Sequence, residues 1–270
     1  MIAVELSKLV RSRRTWVTIV LLDALPTLVA FLLALTDLGP RPGTGPAFLS
    51  AVLHDGTLFP LAASAMVLPL FLPVAVAITA GEAIAGEAQA GTLRYLLVRP
   101  VGRTRLLVAK LVSVMAFVLL AVVVVAATAL VTGLLLLGHE NTGHTLSVSG
   151  TTLSTGDLAW RTSLALVYAM LSMLGVAAIA LFLSTLVRSP LAAAMGTLAV
   201  LIASTLLLTL DAAQALRPYL LTRYWLSFVD LFRDPILWRN VVHGALQQGV
   251  YVVIFLGAAW ANFATRDVTD

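Results

Sequence analysis

The sequence predicts an all-α polytopic membrane protein with six transmembrane helices, and three observations predict it. Hydrophobic residues make up 60% of the 270 and charged residues only 11%, whereas a soluble domain carries about 25% charged residues. Six apolar runs stand out, at 16–35, 58–80, 106–137, 162–186, 191–210 and 241–263. Each reaches the length of about 20 residues that a helix needs to cross a hydrocarbon core of about 30 Å. Lys and Arg concentrate at alternate connections between the runs, as the orientation of membrane helices requires. A lipid-facing backbone must satisfy its own hydrogen bonds, so the runs are helices, and the strand alternation of a membrane barrel is absent.

The chain opens on an amphipathic segment. Ile2, Leu6, Leu9 and Val10 fall on one helical face, with Glu5, Lys8 and Ser12 around the rest, a pattern suited to a helix on the inner membrane surface. Lys8, Arg11, Arg13 and Arg14 then precede the first run, which is too long for a signal-peptide core and reads as a retained span. Pro60 lies near the start of the second run, and Pro69 and Pro73 interrupt it, bending the helix and freeing carbonyls. The third run is longer than a bilayer needs, so it tilts or extends beyond the membrane. Only Val187, Arg188, Ser189 and Pro190 separate the fourth run from the fifth, a tight hairpin with Pro190 suited to a helix start.

The positive-inside rule places the N-terminus, segment 81–105, the Arg188 turn and the tail with Arg266 in the cytoplasm. Loops 36–57 and 138–161, poor in Lys and Arg, lie outside, and both termini lie inside. Segment 211–240 should also lie outside, yet it carries Arg217, Arg223, Arg233 and Arg239, balanced in part by Asp211, Asp230 and Asp234. Its Tyr219, Tyr224, Trp225, Phe228, Phe232 and Trp238 read as amphipathic or re-entrant helices at the outer interface before span six. No internal repeat or soluble domain breaks the chain, so 1–270 forms a single transmembrane domain.

Several chemistries are excluded or unsupported. Without cysteine there is no disulfide, thiolate catalysis or cysteine-ligated metal. The net charge of +4 sits beside apolar spans, so it orients them and implies no nucleic acid. Gly86, Gly91 and Thr92 have the glycine spacing of a P-loop but lack its lysine. His139, Glu140 and His144 lie close together in a Gly/Ser/Thr-rich loop and read as solvated side chains, so no metal and no cofactor is expected in this chain. Asp23 is the one acidic residue well within a run. It is either a path residue or a polar group paired at a helix interface. A lone carboxylate gives thin support to the alternative of an ion- or proton-coupled secondary transporter, whose halves repeat and whose midplane holds several ionisable groups.

The most informative stretch is GEAIAGEAQAGTLRYLLVRPVGRTRLLVAK, residues 81–110. It is the largest polar patch on the predicted cytoplasmic side. Leu93, Leu96 and Leu97 form a short helical pattern that Thr92 caps and Pro100 ends. Its other reading is a solvated loop whose arginines orient the spans. Ile84–x–x–Glu87, Gly91–Thr92–Leu93–Arg94, Leu96–Leu97, Pro100–Val101, Arg103, Leu106–Leu107 and Lys110 together resemble the segment between spans two and three of type-2 ABC transporter permeases. The opening Glu5, Lys8, Leu9, Arg11, Ser12, Arg13 and Arg14 is similar to that family's start.

The resemblance implies a permease subunit of an ATP-driven exporter in the bacterial plasma membrane. It implies two permease chains, alike or similar, that form the path. ATP and Mg are bound by separate ATP-binding cassette subunits. Glu82, Glu87, Gly91, Thr92, Leu93, Arg94, Leu97, Pro100 and Arg103 would form the coupling element, with the short helix around 91–98 as the coupling helix. The amphipathic N-terminus would be the connecting helix. Spans two and five would line the path, so Asp23, Met66, Pro69, Phe71, Met195, Ser204 and Thr205 are candidates for it, packing against lipid or helices being the other reading for each. The arginine content of 211–240 departs from the family pattern.

Overall fold

The computed structural model describes residues 2–36, 56–91, 103–137, 144–146 and 152–265. Helix α1 covers Ile2–Arg11 and α2 covers Arg13–Leu35, with Ser12 extended between them (ψ 124°). A 3₁₀ turn, Gly56–Leu58, leads into α3, Phe59–Val67, and α4 follows at Phe71–Gln89. Helix α5 is Arg103–Thr132 and closes on a π-helical turn, Gly133–Leu137. Strands β1, His144–Leu146, and β2, Thr152–Ser154, pair antiparallel with Thr145 opposite Leu153. Helices α6, Thr155–Leu186, and α7, Pro190–Thr209, form the expected hairpin. Three 3₁₀ helices, Asp211–Ala213, Arg217–Tyr219 and Trp225–Phe232, precede α8, Trp238–Thr265.

Among the described residues six helices are long and apolar enough to cross a membrane: α2, α4, α5 with its π turn, α6, α7 and α8. The chain is therefore an all-α polytopic membrane protein, with one short hairpin in the loop that precedes α6. The second apolar run, expected to span from 58, is divided. Pro69 has no N–H to continue α3 and its ring opposes the preceding turn. Pro73 falls in the first turn of α4, where its missing N–H costs nothing. The hydroxyl of Ser64 donates to the Pro60 carbonyl at 2.8 Å. A small cavity opens at the break, lined by Ser64, Val67, Leu68 and Leu72 with Val122 and Val125 of α5.

The core is organised around α6, which packs against α8, α4, α7 and α5. Its buried stretch includes Gly175, Ala177, Ala178 and Ala180, small residues that let helices approach closely without a water-driven force between them. Contacts fix a common end for the bundle. Ser184 near the end of α6 meets Gly81 of α4, Asn262 of α8 bonds to Thr185, and the Trp260 indole donates to Thr104 of α5 at 2.9 Å. This near end also holds α1. The far end holds the aromatic segment.

That segment folds back into the bundle. Trp225, Phe228, Leu231 and Phe232 are buried against α6 and α8. Its carbonyls are collected by side chains of the spans: Tyr168 donates to Tyr224, Gln248 to Leu221, Gln247 to Leu220, Tyr251 to Tyr219 and Arg161 to Leu231. Irregular backbone at membrane depth survives only where protein satisfies it in this way.

Candidate functional site

The near end joins α1, the end of α4 and the start of α5 through two sets of ion pairs. Lys110, 3% exposed, extends its ammonium between Glu5 of α1 (3.0 Å) and Glu87 of α4. Lys8 stands 3.8 Å from the same Glu87 oxygen. Arg14, opening α2, donates to Glu82 at 3.1 Å. The buried amine thus meets two carboxylates, which is what makes a desolvated ammonium tolerable.

Glu5 was expected on the polar side of α1. It lies on the protein-facing side with the buried Leu9, one turn on, because Lys110 pairs with it. Ile2, Val4 and Val10 remain exposed, the face that a membrane surface would cover.

Above these pairs a side chain enters the α4 hydrogen-bond ladder. The Ser184 hydroxyl donates to the Gly81 carbonyl (2.7 Å) and accepts from the amides of Ala85 (2.8 Å) and Ile84 (3.2 Å). One donor and two acceptor positions are all that a hydroxyl has, and all are used. A side chain that competes at an i→i−4 rung is a recognised origin of helix bending, and here it meets a helix that is α-helical from Phe71 to Gln89. Gly81 is closed in from its other side as well, since a Cβ there would lie 3.1 Å from the Ala194 amide and 3.2 Å from the Pro190 carbonyl of α7. From this clamped rung α4 runs on to Gln89, carrying Glu82 and Glu87, and ends at Gly91. With φ at +68°, Gly91 takes the left-handed conformation that glycine adopts without penalty and that terminates helices.

The structure therefore distributes the sequence candidates. Glu82 and Glu87 belong to α4: Glu87 binds inward, to Lys110 of α5 and beside Lys8 of α1, and Glu82 pairs with Arg14 of α2 at the surface. Gly91 ends α4. Thr92, Leu93, Arg94, Leu97 and Pro100 lie outside the described residues, and Arg103 begins α5. Of the path candidates, Pro69 and Phe71 are exposed at the α3–α4 break, and Met195 and Thr205 are exposed on α7, which lies alongside α4. Met66 is half-buried, and Ser204 is buried against Thr222 of the returning segment at 3.0 Å. Asp23 accepts a hydrogen bond from Thr128 of α5, the paired interface position.

Sequence reasoning did not single out Ser184 or Arg161. A serine in an apolar run carries no mark of what it bonds to, and Arg161 was counted at a loop edge. Lys110 stood in the motif, but its burial was invisible. Among the described residues no group of three or more His, Asp or Glu side chains is placed to hold a metal; His139 and Glu140 lie outside them.

A comparison with curated proteins finds no match. A protein-family model described as ABC-2 family transporter protein matches residues 1–205, from α1 through most of α7. The chain belongs to this family: it is a permease subunit of the type-2 ABC transporter class, the membrane transport component and not the ATPase.

Proposed function

We propose that this permease is the membrane half of an ATP-driven exporter, with both termini in the cytoplasm of a bacterial cell, and that segment 81–105 receives the motion of a separate ATP-binding subunit. The observation that carries the reading is the near end itself. Two turns of α4 project beyond the rung occupied by Ser184. Glu87 is tied to α1 and α5 out of solvent, and Glu82 pairs with Arg14 of α2 at the surface. A push on 92–102 would therefore reach three elements at once. The permease performs no covalent chemistry; its work is to be stabilised differently in inward- and outward-facing states.

Two chains would form the path. Phe71 and Ile78 on α4, with Leu191, Met195, Ile202 and Leu206 on the adjoining α7, leave an apolar surface uncovered. A second copy would face it, and an amphipathic cargo would suit it. Asp23 meets the Thr128 hydroxyl, and among the described residues no ionisable group pairs with it, which favours the reading without a proton relay.

Co-purification tests this reading. Expression with the ATPase encoded beside it should yield one ATPase per permease in mild detergent. Arg94→Ala with Leu97→Ala should lose the ATPase while the permease keeps its thermal stability. A permease that purifies alone and transports in vesicles without ATP would overturn the proposal.

A further inference from the structure

The arginines of the far end do not follow the orientation rule, and the structure accounts for three of the five. Arg217 pairs with Asp211 at 3.1 Å and also donates to the Leu210 carbonyl. Arg233 pairs with Asp230 at 3.0 Å. Arg161 is buried and donates to the carbonyls of Leu231 and Arg233 at 3.2 and 2.8 Å. Arg223 and Arg239 are exposed, and among the described residues no carboxylate pairs with either.

One side-chain stack links these two. The Arg223 guanidinium lies over the Tyr224 ring, 5.3 Å from its centre. Tyr224 stacks on His243 at 6.3 Å, and His243 Nδ1 donates to the Arg239 carbonyl one turn earlier on α8. With the proton on Nδ1, the other nitrogen of the neutral ring is an acceptor, so His243 serves the patch by holding the stack and not by donating to an anion.

The depth of the patch follows from α8. Trp238 and Trp260 are each 50% exposed, and the helix carries them about 33 Å apart at 1.5 Å per residue. That is close to the hydrocarbon thickness of about 30 Å, with an indole at each interface. Arg239 and His243 sit in the turns beside Trp238, at headgroup level. Below them Val242, Leu246, Val250 and Val253 are exposed on the same helix, an apolar track running from the cationic patch toward the bilayer centre.

We propose that Arg223 and Arg239, aligned by the Tyr224–His243 stack, bind the phosphate of an anionic phospholipid in the far leaflet, whose acyl chain lies along that track. Guanidinium groups match phosphate oxygens in pairs. Two unpaired cations favour a headgroup with net negative charge over a zwitterionic one. The track selects a lipid over free phosphate. This site is independent of which partner drives transport.

The test is lipid retention by the full chain, with any ATPase that accompanies it, measured by native mass spectrometry against phosphatidylglycerol and phosphatidylcholine of equal chain length. Near-end arginines also attract anionic lipid, so the readout is the difference between variants. R223Q/R239Q should weaken retention of one phosphatidylglycerol about 30-fold, about fivefold for each arginine, and leave phosphatidylcholine unchanged. R223K/R239K should keep most of the binding, and R217Q, already matched by Asp211, should change little. If the double variant fails to assemble, R239Q alone should still show the fivefold loss. Undiminished phosphatidylglycerol binding in the glutamine variants overturns the proposal. So does displacement of the lipid by excess inorganic phosphate, which would mark a free-anion site.

Discussion

Replacing Lys110 with Met tests whether the near end is held by charge. Methionine keeps the length and apolar bulk of the lysine stem, so the change removes a charge without opening a cavity. Glu5 and Glu87 then face each other across an apolar side chain in positions where their side chains are 16% and 12% exposed. Breaking a buried pair by deleting one member costs about 3–5 kcal/mol. Lys8, with a side chain 69% exposed, recovers at most about 1 kcal/mol. A penalty of about 2–4 kcal/mol remains. The chain has a local escape, because α1 buries only Leu9 and can leave the bundle with Glu5. The penalty should therefore appear as undocking of α1 and not as collapse of the spans. Trypsin cleavage at Lys8, Arg11, Arg13 and Arg14 should accelerate by about 30- to 1000-fold where opening is fast relative to cleavage. Adding Glu5→Gln and Glu87→Gln to Lys110→Met should restore most of the protection, since a fully neutralised cluster is close to neutral in stability. An unchanged cleavage rate in Lys110→Met, or no rescue in the triple variant, would refute the reasoning.

Three other changes probe the interior. Gly175→Ala puts a Cβ against the Gln248 carboxamide oxygen and 2.8 Å from Leu221 Cδ1. The overpacking and the lost Gly175 amide bond together should cost about 2–4 kcal/mol, read by denaturant unfolding in mixed micelles. Arg161→Met strips two carbonyls at the end of the Trp225–Phe232 helix of their donor. A loss of about 2–3 kcal/mol is expected, with faster hydrogen exchange confined to 217–240. Ser184→Ala leaves the Gly81 carbonyl and the Ala85 amide to each other within α4, so stability should fall by only about 1 kcal/mol. The distance between spin labels at positions 89 and 209 should nevertheless shift if the hydroxyl sets the bend of α4, and an unshifted distribution would remove Ser184 from that role.

The spans were legible because lipid leaves the backbone few options and apolar length reports directly on it. The break in the second run was legible at Pro69 and Pro73. Its outcome, two helices with the second carrying Glu82 and Glu87 inside its own length, was not, because the polar residues after Ala80 read as the end of the span. The packing of 211–240 back onto the bundle was signalled by its aromatics. The donors that make it possible were not: Tyr168, Gln248 and Arg161 lie in α6 and α8, remote in sequence from the carbonyls they serve. Hydrophobic periodicity tells which residues avoid water. It does not tell which distant backbone a polar side chain completes, and at both ends of this bundle that pairing positions the functional segments.

The near end combines a stiff part and a compliant part, and their order along α4 matters. Below the Ser184 rung, Glu82 and Glu87 hold α4 to α2, α1 and α5 by charge. Above it, the buried Ala75, Val76, Ala77 and Ala80 hold α4 within the bundle by packing. Charge pairs tolerate sliding of long side chains, whereas a close-packed interior does not yield by small amounts. On the proposed coupling role, a force delivered at Gly91 would move the lower two turns with α1 and the start of α5, and would bend α4 where the Ser184 hydroxyl competes for the Gly81 carbonyl and the Ala85 amide. Were that hydroxyl to move away, the Gly81 carbonyl and the Ala85 amide would still have each other at i→i−4 spacing, so the backbone groups stay satisfied with or without it. Two satisfied arrangements separated by a single side-chain displacement would suit the switch between inward- and outward-facing states that the proposed role calls for.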